Sequence, residues 1–190
     1  MKLVVAITGA SGSLYAQRLL DLLHADPHGP HDVHVALSSH AREVAAAEIG
    51  KLVIPEPFQV YGDTSMHVPF VSGSAKFDAM VVLPCSMGTI GRIAHGYSDS
   101  AIARAADVFL KEKRRLILVP RETPWNLIQA RNVVTVLEAG ADVLPAIPSF
   151  YHRPQTVLDV VDTVVARVLD HLGLEHALSK RWMEPGSPQD

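Results

Sequence analysis

The chain has very little cysteine, no excess of positive charge and no long apolar run. Its 190 residues include one cysteine, Cys85, so an internal disulfide is excluded and a reducing, cytoplasmic location is expected. Seventeen Lys and Arg stand against 20 Asp and Glu, which excludes the basic field typical of nucleic-acid-binding proteins. No apolar run reaches the length of a transmembrane helix, so no membrane partner is expected.

The remaining composition is that of one globular domain. Hydrophobic residues make up 48% and charged residues 19% of the chain, which excludes wholesale disorder. The apolar run at the N-terminus stops at Gly9, which indicates a first strand rather than a signal peptide. We expect a single domain over residues 1–182, followed by a flexible polar tail at 183–190.

Apolar runs alternate with amphipathic segments along the chain. The runs predict strands at 3–8, 33–37, 78–83, 115–119 and 142–144. The helices between them are expected to follow Gly12, Ser38, Ser98-Asp99, Thr123-Pro124 and Pro154. Residues 50–77 are expected to be irregular. This order predicts an α/β fold: a doubly wound, Rossmann- or flavodoxin-like three-layer sandwich with a mostly parallel sheet, which binds ligands at the carboxyl ends of its strands.

A glycine-containing turn, Gly9-Ala10-Ser11-Gly12, joins the first strand to the first helix. Exposed amides at a helix N-terminus favour an anion such as phosphate, although a plain tight turn remains the alternative. The turn is not G-x-G-x-x-G, and Leu37-Ser38-Ser39-His40 has no acidic residue for a ribose. Both features disfavour a dinucleotide enzyme.

A second polar turn, Pro84-Cys85-Ser86-Met87-Gly88-Thr89, follows another buried strand. Ser86 and Thr89 offer hydroxyls that would face the same crevice as the first turn, while an ordinary N-cap at Ser86 is the alternative. A lone cysteine after a buried strand is more often an inert core residue than a nucleophile, so Cys85 is not expected to react.

Arg121 and Glu122 lie where a third buried strand meets a helix. Arginine can bind a phosphate with two hydrogen bonds, and an adjacent carboxylate could carry a proton. The alternative is a surface ion pair or a capping carboxylate. Arg167, among the valines of the last helix, either extends outward into solvent or faces an anion.

Three of the ten histidines, His28, His31 and His34, are spaced three residues apart. The first two fall in a Pro- and Gly-containing loop and the third in a strand, so they need not converge on an ion. We therefore expect no metal site.

Taken together, five stretches of the sequence closely resemble the UbiX family of flavin prenyltransferases, formerly described as aromatic-acid decarboxylases. They are Thr8–Gly12, Pro84–Thr89, Ala105–Val108 with Lys111-Glu112, Pro120–Pro124 and Phe150–Gln155. The resemblance implies transfer of a dimethylallyl group from dimethylallyl monophosphate to reduced FMN, without a metal. The product would be prenylated FMN, the cofactor of UbiD-type decarboxylases, and the enzyme would be a homo-oligomer, typically a dodecamer, with sites between subunits.

The resemblance also implies roles for individual residues. Those expected to bind FMN are Gly9, Ala10, Ser11, Ser38, Ser86, Thr89 and Arg121. Those expected to hold the substrate phosphate and to act in catalysis are Lys111, Glu122, Tyr151 and Arg167. Glu48 matches a catalytic acid near the flavin, and Trp182 is a further candidate for stabilising an allylic cation.

Two alternatives remain at this point. Flavin-dependent cysteine decarboxylases share the expected fold, but they carry a Pro-x-Met-Asn stretch that this sequence lacks. A non-catalytic FMN carrier would keep the glycine and serine turns, but it would have no need of Lys111, Glu122 and Arg167.

Overall fold

Six parallel strands form the centre of the molecule, in a computed structural model that describes residues 1–151 and 153–178. They are β1 (Lys2–Ile7), β2 (Asp32–Leu37), β3 (Gln59–Gly62), β4 (Ala79–Cys85), β5 (Arg115–Pro120) and β6 (Asp142–Val143). Their order in the sheet is β3-β2-β1-β4-β5-β6, and every pairing is parallel. The chain order reverses between β1 and β4, which is where doubly wound sheets open a ligand crevice.

Six helices cover the two faces of the sheet. They are α1 (Ser13–Ala25), α2 (Ser39–Ile49), α3 (Met87–Ala94), α4 (Ala101–Lys111), α5 (Leu127–Glu138) and α6 (Val157–Leu172). Alternate side chains of the central strands enter two cores, one with α1 and α6 and one with α3, α4 and α5. The predicted three-layer α/β sandwich is therefore confirmed, and its sheet is wholly parallel.

Two strand predictions need correction. The segment 50–77, expected to be irregular, contains the edge strand β3 and a short 3₁₀ turn at Pro69–Val71. Three of the four β3 residues are exposed, so no buried apolar run marked the strand. Pro84 was expected to stop a strand, but β4 continues to Cys85 because the register with β5 shifts between Val82 and Cys85. Proline is tolerated in sheets at such irregularities.

Three helices begin later than expected. The helix predicted from Ser98-Asp99 is capped by Ser100, whose hydroxyl accepts from the Ala103 amide. Asn126 and Gln129 form a capping box at the start of α5, so Thr123-Pro124 belongs to the preceding loop. Thr156 caps α6. Each cap satisfies first-turn amides, which decides where the helix begins.

Large apolar side chains remain exposed around α5 and the loop that leads to α6. Ile147 is 75% exposed, and Val157 at the start of α6 is also exposed. The others in this region include Leu127, Ile128, Val134, Leu137 and Phe150. Several exposed apolar side chains in one region of a fold are typical of an interaction face. None of the helices in the described residues is long and apolar enough to cross a membrane.

Candidate functional site

A polar cleft of about 290 Å³ opens at the carboxyl edge of the sheet. Four of the predicted cofactor-binding residues line it, namely Gly9, Ser38, Ser86 and Thr89. They come from the loops after β1, β2 and β4, because the carboxyl ends of parallel strands meet at one edge. The expectation that separate turns of the sequence face one crevice therefore agrees with the geometry.

Hydroxyl groups supply most of the hydrogen-bonding capacity of the cleft. Ser38 caps α2, with its hydroxyl accepting from the Ala41 amide. Ser86 caps α3, and its Oγ lies 3.0 Å from Thr89 Oγ1. The N-cap interpretation of Ser86 is thus correct, and it places two hydroxyls and the start of a helix on one wall. Such a wall suits an anionic, polyhydroxylated ligand.

Gly9 allows α2 to approach the loop after β1. A Cβ built at Gly9 would collide with the Cβ of His40 in the first turn of α2. Any larger residue would push this part of the cleft wall outward. The hydroxyl-rich lining and this close backbone approach together fit the phosphate and ribityl chain of FMN.

The N-terminus of α1 is filled by a carboxylate of the protein itself. Glu48, in the last turn of α2, accepts from the Gly12 amide at 3.0 Å and from the Ser13 amide at 2.7 Å. Partial burial raises its pKa, but hydrogen bonds from Ser11, Gly12 and Ser13 outweigh this, so the pKa of Glu48 is lowered. The sequence interpretation did not anticipate that Glu48 would accept from these two amides of the Gly9–Gly12 turn and α1, and the phosphate expected on this turn stays a prediction.

The remaining residues expected to bind FMN flank this turn. Ala10 is nearly buried in the loop after β1, and neither it nor Ser11 lines the cleft. Arg121 follows β5, is exposed, and donates its backbone amide to the Cys85 carbonyl. The positive charge of Arg121 acts on Tyr15 of α1. Burial raises the pKa of Tyr15, and the attraction of Arg121 for the phenolate offsets part of that increase. Arg121 therefore lies outside the cleft, on the α1 side of the carboxyl edge.

Glu122 is exposed beside Arg121. Its carboxylate accepts from the Thr123 amide at 3.0 Å, and its carbonyl accepts from Trp125 Nε1 at 2.9 Å. In this conformation Glu122 acts as a capping carboxylate of the turn, the alternative considered from the sequence. Tyr151 is exposed in the loop before α6.

Two of the expected phosphate-binding cations lie far from the cleft. Lys111 ends α4, roughly 15 Å by helical rise from the cleft residues at its start, and pairs with Glu112. Arg167 is in the second half of α6, 63% exposed, and pairs with Asp170 at 2.6 Å. Both approach the amino edge of the sheet, where Arg115 of β5 donates to the His171 carbonyl. One protomer thus does not bring Lys111 or Arg167 to the cleft.

The cysteine and the three evenly spaced histidines are surrounded by groups typical of structural residues. Cys85 is fully buried, and burial raises the pKa of its thiol far above the usual range. His28, His31 and His34 pair with three different carboxylates, Glu175, Asp26 and Asp32. Within 1–151 and 153–178, no group of three or more metal-ligating side chains comes together. Trp182, the 183–190 tail and His152 of the Phe150–Gln155 stretch lie outside the described residues.

The chain is similar over most of its length to known flavoproteins. The Flavoprotein family model matches residues 1–169. The flavin prenyltransferase UbiX of Methanocaldococcus jannaschii is 43% identical, with 96% of this chain and 98% of that protein covered. A probable UbiX-like flavin prenyltransferase of Escherichia coli O157:H7 is 40% identical, covering 100% of this chain and 95% of that protein.

Solved structures give the same result. A dodecameric FMN-dependent UbiX-like decarboxylase from Escherichia coli O157:H7 superposes with a TM-score of 0.89 at 38% identity, covering 97% of this chain and 100% of that one. AnUbiX in complex with FMN and dimethylallyl pyrophosphate gives 0.88 at 36%, covering 96% and 97%. The cysteine decarboxylase TvaF gives only 0.61 at 20% identity, covering 91% and 98%, so it shares the fold alone.

Proposed function

The chain belongs to the UbiX family of flavin prenyltransferases, and we propose that it transfers a dimethylallyl group from dimethylallyl monophosphate to reduced FMN. The observation that carries the proposal is the cleft formed by Gly9, Ser38, Ser86 and Thr89, whose hydroxyls and close backbone approach suit FMN. Reduced FMN, when bound, supplies the nucleophilic ring that accepts the prenyl group. The protein must therefore bind both partners, exclude water and stabilise the departing phosphate.

Cofactor binding falls to the residues at the carboxyl edge. Ser38, Ser86 and Thr89 would donate or accept hydrogen bonds along the cleft, and Gly9 keeps the α2 wall close. Ala10, Ser11 and Arg121 would contact the part of the cofactor that extends beyond the cleft toward α1. Glu48 would hold the Gly12 and Ser13 amides in place, so its contribution includes fixing the loop after β1.

Phosphate stabilisation would come from Lys111, Arg167 and the Tyr151 hydroxyl. Cations and hydroxyls at the position where negative charge develops lower the barrier for breaking the allylic C–O bond. Glu122 would give a proton to the leaving phosphate or take the proton lost as the new ring forms. The Thr123 amide engages only Oε1 of Glu122, so Oε2 would give or take the proton.

Lys111 and Arg167 cannot serve the cleft of their own protomer, which supports a site shared between copies of the chain. The exposed apolar surface around α5 supplies a face for such an assembly. We infer a homo-oligomer, with a dodecamer as in the solved relative, in which neighbouring copies bring Lys111 and Arg167 to each cleft. The product would pass to a UbiD-type decarboxylase, and the cytoplasmic location and the domain limit at residue 182 stay predictions.

The test uses the purified protein with reduced FMN and dimethylallyl monophosphate under anaerobic conditions. A released flavin whose mass has increased by the prenyl unit supports the proposal, and unchanged FMN contradicts it. A parallel reaction with dimethylallyl pyrophosphate identifies the preferred donor. An FMN carrier would return unmodified flavin with either donor.

A subunit-mixing experiment tests the shared site. Lys111→Ala and Glu122→Gln chains, each inactive alone, are co-expressed with different affinity tags and purified as mixed oligomers. If Lys111 serves a neighbouring cleft, some clefts in the mixture regain both wild-type residues and activity returns. If both residues serve one cleft of the same chain, every cleft lacks one of them and the mixture stays inactive.

A further inference from the structure

The cleft contains a cation that the motifs and the resemblance did not single out. Arg92, in the last turn of α3, lines the cleft together with Gly9 of the loop after β1. Its Nε lies 3.2 and 3.3 Å from the two carboxylate oxygens of Asp99, in the loop before α4. Within the part of the chain that the structure describes, Arg92 and His40 are the cleft-lining side chains able to carry positive charge.

The guanidinium of Arg92 folds back over the first turn of α3. Its Nη1 lies 3.6 Å from the position that a Cβ on Gly88 would occupy, and Ser86 Oγ lies 3.9 Å from the same position. The guanidinium and the Ser86 hydroxyl thus both lie near Gly88 in the first turn of α3, and the Ser86 and Thr89 hydroxyls are 3.0 Å apart. Since Asp99 uses Nε, the Nη groups remain to donate to a ligand.

The charges around the cleft favour a cationic donor for a bound phosphate. Asp63 and Asp99 both line the cleft, and two carboxylates would repel a phosphate dianion. Asp63 is held by the Ile102 amide at 2.8 Å, and Asp99 is neutralised by Arg92. The amides at the start of α1 cannot compensate, because Glu48 occupies them.

We propose that Arg92 binds the phosphate of FMN through its Nη groups, with Asp99 as a positioning residue that orients the guanidinium. The proposal rests on the proposed function, because it assumes that the cleft binds FMN. The phosphate is then held jointly by Arg92, Ser86 and Thr89. Riboflavin has the same ring and ribityl chain without the phosphate, so it separates this role from a general effect on the cleft.

The test measures the dissociation constants of FMN and riboflavin by flavin fluorescence for the wild type and Arg92→Ala. A lost charge-assisted hydrogen bond should weaken FMN binding 10- to 100-fold, while riboflavin binding changes less than about threefold. Arg92→Gln preserves the aliphatic stem and should behave like Arg92→Ala, while Arg92→Lys should recover part of the FMN affinity. With saturating donor, the flavin KM should rise while kcat remains near that of the wild type.

Lys2→Ala is the matched control, because it also removes a half-exposed cation paired with a carboxylate. Lys2 pairs with Asp32 at 3.0 Å, at the amino edge of the sheet, and its loss should leave both dissociation constants unchanged. Equal losses of FMN and riboflavin affinity in Arg92→Gln would assign Arg92 to wall structure and overturn the proposal. Unchanged FMN affinity would overturn it as well. A wild-type protein that does not bind FMN would instead contradict the proposed function.

Discussion

Replacing Glu48 by glutamine is expected to destabilise the protein, because the Glu48 carboxylate is the N-terminal cap of α1. Gly12 supplies the N-cap position without a side-chain hydrogen bond, and the carboxylate reaches it from the end of α2. It accepts from the Gly12 amide at 3.0 Å and from the Ser13 amide at 2.7 Å. Glu48→Ala leaves the Gly12 and Ser13 amides to water, and both Glu48→Ala and Glu48→Gln take a negative charge from the positive end of the helix dipole.

The magnitude follows from the cost of losing a cap. A lost N-cap costs about 1 kcal/mol and at most about 2, and the dipole adds about 0.3–1 kcal/mol. Glu48→Ala loses both contributions, so we expect about 2 kcal/mol. Glu48→Gln keeps an acceptor oxygen and loses the charge, so we expect about 1 kcal/mol, or roughly 2–4 °C in melting temperature for a chain of this size.

The effect should depend on pH in a defined direction. The pKa of Glu48 is lowered in the folded protein, so its stabilisation is fully present above the unfolded value of about 4.3. It is lost as the pH falls through the folded pKa. The difference between wild type and Glu48→Gln should therefore be constant from pH 6 to 7 and shrink below pH 4.

Thermal melting of flavin-free protein at a fixed concentration measures the difference, with Glu43→Gln as the control. Glu43 is an exposed glutamate on the same helix, and it makes no hydrogen bond or ion pair within the described residues. A Glu48→Gln protein with the same melting temperature as the wild type at pH 7 would refute the capping role. If the variant loses turnover far beyond its loss of stability, Glu48 has the catalytic role that the family resemblance implies.

Three further predictions concern the site. Glu122→Gln should lower turnover by about 10²- to 10⁴-fold while FMN binding survives, whereas unchanged single-turnover prenylation would leave Glu122 as a capping group only. Cys85→Ser should keep substantial activity, because the thiol is buried and its pKa is raised by that burial; complete loss with FMN binding intact would revive covalent catalysis. Gly9→Ala should destabilise the protein by about 1–3 kcal/mol, the cost of overpacking, and should weaken FMN binding, because the new Cβ would collide with the Cβ of His40. An FMN titration and a thermal melting curve measure the two effects, and a variant with wild-type affinity and stability would contradict the close approach.

The alternation of buried strands and amphipathic helices could be predicted because both periodicities are local. The strands β1, β2, β4 and β5 are mainly apolar segments, and the turns that follow β1, β2 and β4 contain polar residues of the cleft. An edge strand has no such signal, and β3 was missed for that reason. The predicted start of α5 at Thr123-Pro124 was too early, because Asn126 caps the helix two residues after the proline.

The composition of the site was only partly contained in the sequence. Ser86 and Thr89 are three residues apart on one turn, so their proximity is a local property. Glu48 accepts from Gly12, 36 positions away in the sequence, and no local sequence pattern predicts that contact. The predicted parallel sheet already implies that α4, which connects β4 and β5, runs back toward the amino edge with Lys111 at its end. That the end of α6 also lies there is shown by the contact of Arg115 with the His171 carbonyl. Residue types and local turns were thus determined by the sequence itself, while pairing, distance and the charge balance of the cleft depended on how the distant segments pack.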